Sequence, residues 1–101
     1  MDMQLNNKTA LVTGASVGIG RGIAKALAAE GVRVAVSARR VDKLQELAAE
    51  IVAAGGHAPV IIESDLYAED AAKRLADAAL AGLGSVDILV NNAGGSRSFK
   101  D

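Results

Sequence analysis

The sequence predicts an α/β protein, a parallel sheet wound by helices on both faces. Three observations carry this. Short apolar, β-branched runs alternate with stretches of helical spacing in the order βαβαβαβ. The connections between them are short, as strands joined through crossover helices require. Glycines gather where strands and helices should end.

Each element has its own signal. Residues 8–14, KTALVTG, hold an apolar run closed by glycine, the pattern of a buried strand. Ile19, Ile23 and Leu27 then recur at helical spacing, with Arg21 and Lys25 on other faces. Gly31 after Glu30 is a helix stop. Residues 32–38, VRVAVSA, form a second β-branched run. Leu44, Leu47, Ala48 and Ile51 mark the inner face of a second helix, ended by Gly55 and Gly56. Residues 58–62, APVII, predict a third strand with Pro59 near its start, where a missing N–H is tolerated. Glu69 and Asp70 are expected in the first turn of a third helix, where negative charge suits the helix dipole. Ala72, Leu75, Ala76, Ala79 and Leu83 would form its inner face, with Gly82 and Gly84 closing it. Residues 86–90, VDILV, predict the fourth strand.

Handedness then sets the topology. Right-handed crossovers carry the first three strands one way across the sheet. The fourth returns beside the first, for a strand order of 3-2-1-4. This is a Rossmann-type, doubly wound sheet, with a ligand crevice at the carboxyl ends of strands one and four. The first two helices share one face and the third stands alone on the other. Two loops rich in small residues, TGASVGIG and NNAGG, fall at those strand ends.

Composition excludes several classes. Eleven Lys and Arg against twelve Asp and Glu leave a net charge of −1, which does not favour nucleic acid or an anionic membrane. No cysteine is present, so there is no disulfide framework or thiolate metal site. His57 stands beside two glycines and is expected in a solvated loop rather than on a metal. The chain shows neither a signal peptide nor an apolar run long enough to span a bilayer. With Tyr67 and Phe99 its only aromatics, the core must be aliphatic.

The glycine loop carries the first functional reading. Residues 13–20 have the spacing G-x-x-x-G-x-G between a strand and a helix. Gly14 lets the backbone turn out of the strand, Gly18 lets a phosphate approach the main chain, and Gly20 lets the helix pack closely on the sheet. The unpaired N–H groups of the following helix suit a pyrophosphate. A flexible strand-to-helix turn is the plainer alternative.

Together with SDL at 64–66 and NNAG at 91–94, this loop gives the chain a resemblance to the N-terminal portion of the short-chain dehydrogenases/reductases. The nearest flavour is the 3-oxoacyl-acyl-carrier-protein reductase-like group. The resemblance implies that Gly14, Ser16, Val17 and Ile19 line the pyrophosphate and nicotinamide side of a cofactor. It implies that Asp65 meets the adenine amino group, with a backbone contact from Leu66. Asn92, Ala93 and Gly94 would lie along the adenosine ribose. Turn formation by Asp65, and backbone bracing by Asn91 and Asn92, are the structural alternatives.

The end of the second strand bears on the choice of cofactor. NAD enzymes usually present Asp or Glu there, for the ribose 2′-OH. This chain has Ala38, Arg39 and Arg40. A guanidinium can clasp a 2′-phosphate in bidentate fashion. NADP(H) is therefore expected over NAD, with Arg39 the main contact and Arg40 a helper. A solvated basic pair is the other reading. Val17 stands where many NADP-preferring relatives carry a base.

The family's catalytic Ser, Tyr and Lys, the last two spaced Y-x-x-x-K, find no match. Tyr67 is followed four residues on by Ala71, and Ser96 and Ser98 read as loop serines. No catalytic residue and no metal ligand is expected in residues 1–101. The chain is expected to be the N-terminal part of one dinucleotide-binding domain, its catalytic half absent, with an apolar edge at strand four. The resemblance implies hydride transfer between a nicotinamide and a carbonyl or alcohol substrate, in a cytoplasmic homo-oligomer. A non-catalytic nucleotide-binding or assembly module is the reading from another class, and Y-x-x-x-K in downstream sequence would separate the two.

Overall fold

A computed structural model gives the fold and describes residues 5–65 and 70–92. The elements are β1 (Thr9–Thr13), α1 (Gly18–Ala29), β2 (Arg33–Ala38), α2 (Val41–Ala53), β3 (Val60–Glu63), α3 (Ala71–Leu83) and β4 (Ile88–Val90). The four strands form one parallel sheet in the order β3-β2-β1-β4, the topology predicted from crossover handedness. The fold is Rossmann-like.

Side chains alternate across the pleat and build two cores. Ala10, Val12, Val34 and Val36 point to one face, where they pack with Ala24 and Ala28 of α1 and Leu44, Leu47 and Ile51 of α2. Leu11, Ala35 and Ile62 point to the other, against Leu75, Ala79 and Leu83 of α3. Every residue of β1 is buried, as a central strand covered on both sides must be. At the β4 edge, Leu89 pairs with Leu11 in register and remains 63% exposed.

Helices α1 and α2 end in the same way. Val32 N–H donates to Leu27 O and Gly31 N–H to Ala28 O. Gly56 N–H donates to Ile51 O and Gly55 N–H to Val52 O. Both are Schellman closures, and Gly31 and Gly55 hold the left-handed φ of 87° and 95° that such a closure demands.

The structure corrects several local expectations. The inner face of α1 is Gly20, Ala24 and Ala28, not the Ile19, Ile23 and Leu27 row. Small side chains let this helix sit close to the sheet, and Ile19 is left 73% exposed. On α3 the buried row begins at Ala71, while Ala72 and Ala76 face outward. Asp70 precedes that helix with a left-handed φ of 66° and makes no side-chain cap. Gly82 is inside α3, where a Cβ would meet Val60 Cγ1 at 2.7 Å, so it serves close packing rather than termination. Strand β3 starts just after Pro59, and β4 starts at Ile88. Asp87, just before β4, is bound to Thr9, whose N–H and hydroxyl both donate to Asp87 Oδ2, at 2.9 and 3.1 Å. Leu66, Tyr67, Glu69, Ala93, Gly94, Ser96 and Ser98 lie outside the described residues.

Candidate cofactor-binding site

Strands β1 and β4 are neighbours, so their carboxyl ends deliver the glycine loop and the asparagine pair to the same edge of the sheet. Thr13, 3% exposed at the end of β1, joins them. Its Oγ1 accepts the Asn92 N–H at 2.9 Å and donates to Asn91 Oδ1 at 3.1 Å. A hydroxyl can do both at once, since it has one proton and two lone pairs. Asn92 Nδ2 in turn donates to Gly14 O at 3.3 Å.

The glycines of the loop have three distinct reasons. Gly14 turns the chain with φ 62°. Gly18 opens α1 with φ 63°, and a Cβ there would meet nothing within 4 Å, so space for an approaching group remains open. At Gly20 a Cβ would lie 2.2 Å from Gly14 O and 2.8 Å from Asn92 Nδ2. The loop is also held to β2 by Ala15 N–H donating to Ser37 O at 3.1 Å. No side chain caps α1 and no acidic residue stands in its first turn. Among the described residues its leading N–H groups and positive dipole end thus have no side-chain cap or carboxylate, an arrangement that suits an anion. Val17, 62% exposed, and Ile19 border it.

Arg21 fastens this loop to α2. It donates to Ser16 O at 3.4 Å, to Lys43 O at 3.5 Å and to Glu50 Oε2 at 2.5 Å. Glu50 also accepts from Lys25 at 3.1 Å. The Lys25 and Arg21 hydrogen bonds hold the Glu50 carboxyl below its ordinary pKa.

Arg39 and Arg40 follow β2 directly, and both are exposed. They differ in their partners. Arg40 forms a fork with Asp42, Nε to Oδ1 at 3.0 Å and Nη2 to Oδ2 at 2.7 Å. This bond raises the Arg40 pKa and lowers that of Asp42. Among the described residues, none of the salt bridges involves Arg39. At the end of β3, Ser64 N–H donates to Ala38 O at 3.0 Å. Asp65, beside it, borders a cavity of about 420 Å³ lined by Ile62, Ala71, Arg74, Leu75 and Ala78.

The model of the family described as short chain dehydrogenase matches residues 8–101. The chain belongs to the short-chain dehydrogenase family. The chain is 50% identical over 94 residues to a short chain dehydrogenase of Pseudocercospora fijiensis, covering 93% of the chain and 30% of that relative. It is 47% identical over 89 residues to the 3-oxoacyl-[acyl-carrier-protein] reductase FabG of Staphylococcus epidermidis, covering 87% of the chain and 36% of that protein. Among solved structures, it superposes on a metagenomic short-chain oxidoreductase in complex with NADP, with a TM-score of 0.82 and 48% identity over 89% of the chain and 40% of that structure. The chain thus spans about a third of the length of these curated relatives.

Of the residues singled out from sequence, Gly14, Gly20 and Asn92 meet through direct contacts, and Ser16, Val17, Gly18 and Ile19 share their loop. Arg39, Arg40 and Asp65 stand at the ends of the next two strands along the same sheet. Thr13, Arg21 and Asp42 were not assigned a role. Thr13 was visible as the residue before the first glycine and Asp42 as a carboxylate two residues after Arg40, whereas Arg21 carries no signal until α1 and α2 are packed together.

Proposed function

We propose that residues 1–101 form the NADP(H)-binding part of a short-chain oxidoreductase acting on a carbonyl or alcohol substrate. The observation that carries this is the uncapped start of α1, held by the Gly14–Asn92 bond at the mouth of the crevice and followed at the next strand end by Arg39. The open space at Gly18 and the crowding at Gly20 fit a pyrophosphate lying on the main chain.

Bound there, the nicotinamide would supply hydride chemistry. This chain's residues bind and orient. The first-turn N–H groups of α1 hold the diphosphate, Asp65 accepts from the adenine amino group, and Asn92 keeps the two loops at fixed separation. Arg39 clasps the 2′-phosphate. A charge-assisted hydrogen bond of about 1.5–3 kcal/mol corresponds to roughly ten- to a hundredfold in affinity. The related NADP complex supports the same choice. The groups that move protons on the substrate belong, in this reading, to the remainder of a protein of the length its relatives have.

The test is an Arg39→Asp variant titrated with NADPH and NADH by fluorescence. NADPH binding should weaken at least tenfold while NADH binding holds or improves. An unchanged ratio of the two affinities would refute the assignment.

A further inference from the structure

Two adjacent arginines end β2, and the structure gives them different surroundings. Arg40 is the N-cap of α2, and its guanidinium is folded back onto Asp42 through two parallel N–H to oxygen bonds. Asp42 sits in the first turn of α2, where the helix dipole favours a carboxylate. Both partners are more than half exposed, so the pair stands at the surface that a ribose phosphate would approach. Arg39, one residue earlier, has no carboxylate partner among the described residues.

We propose that Asp42 is a specificity-determining residue that moderates the preference for NADP(H). It occupies the fork of Arg40, leaving Arg39 as the working clamp, and its own charge opposes a second anion beside it. This rests on the NADP(H) reading above. Asp42 takes the Nε/Nη2 edge of the Arg40 guanidinium, so a 2′-phosphate must either displace it from that edge or settle for the remaining Nη1/Nη2 edge beside a carboxylate charge. The competition is modest, because exposed ion pairs are weak and screened by salt.

The experiment is a titration of the full-length protein with NADPH and NADH, at low and high salt, for the wild type, Asp42→Asn, Asp42→Asn with Arg40→Gln, and Arg39→Gln. Asp42→Asn should tighten NADPH roughly two- to fivefold, the size of an exposed ion pair, and leave NADH unchanged. Adding Arg40→Gln should abolish the gain, and high salt should shrink it. Asp42→Ala, which loses the carboxylate without retaining an amide, should show the same NADPH gain. Weaker or unchanged NADPH binding in both Asp42 variants overturns the inference, as does an equal gain for NADH. If Arg39→Gln leaves the NADPH to NADH ratio untouched, it is the underlying cofactor reading that fails, and the inference falls with it.

Discussion

Asn92 Nδ2 donates to the main-chain oxygen of Gly14 across 3.3 Å, and this bond spans 78 residues of sequence to tie the end of β4 to the end of β1. The same contact explains Gly20, because its missing side chain is what lets Gly14 and Asn92 meet. The crevice is thus closed on one side by two loops that hold each other's geometry.

Gly20→Ala should therefore be costly. A methyl group 2.2 Å from Gly14 O cannot be absorbed by a flexible side chain, since the obstruction is backbone. Overpacking of this kind costs about 1–3 kcal/mol, and dinucleotide affinity should fall with it. Gly22→Ala, two residues on, is the contrast. Nothing lies within 4 Å of its Cβ, and it is in a helix interior. It should stabilise by about 0.5–1 kcal/mol. Urea midpoints for the two variants check both signs.

Thr13→Val should destabilise although it nearly conserves shape. The half-buried Asn92 N–H loses its acceptor beside a position 3% exposed, while Asn91, itself exposed, can turn to water. An unsatisfied buried group costs about 1–3 kcal/mol. Thr13→Ser should recover most of the loss, in thermal melts and in cofactor titration alike.

Leu44 is fully buried between α2 and the sheet. Leu44→Ala leaves a cavity as well as losing transfer energy, and should cost about 2–5 kcal/mol. Denaturant unfolding measures it.

Asp87 predicts a pH dependence. The backbone hydrogen bond from Thr9, then the Thr9 hydroxyl, lower its pKa from the ordinary value of 3.8. A carboxyl depressed in the folded state contributes stability that is complete above its unfolded pKa and lost as pH falls through the folded one. Unfolding midpoints measured from pH 6 downward should therefore drop through and below the usual carboxylate range. Asp87→Asn should flatten part of that drop, with Asp42 and Glu50 accounting for more of it in the same direction.

Much of the fold was legible in the sequence because it depends on local pattern. Strand and helix order follow from periodicity, and Gly31 and Gly55 terminate helices because few other residues tolerate their positive φ. Strand order followed from right-handed crossovers together with the return of the fourth strand beside the first, the Rossmann arrangement. Of the candidate site, the glycine loop was legible for the same local reason. The inner face of α1 was misjudged because small residues there allow a closer approach than the larger ones beside them, whereas on α3 Leu75, Ala79 and Leu83 are buried as expected and only Ala72 and Ala76 give way to Ala71.

By itself, then, the amino-acid sequence determined the βαβαβαβ order, the helix stops and the glycine loop between β1 and α1, all of which are set by residues within a turn or two of one another. Only the tertiary structure decided that Asn91 and Asn92 share the Thr13 hydroxyl, that Arg21 bridges the loop to α2, and that Thr9 claims the Asp87 carboxylate. Each of these joins groups distant in the chain, and a hydrogen bond reaching about 3 Å has no trace in spacing until the backbone has brought its two ends together.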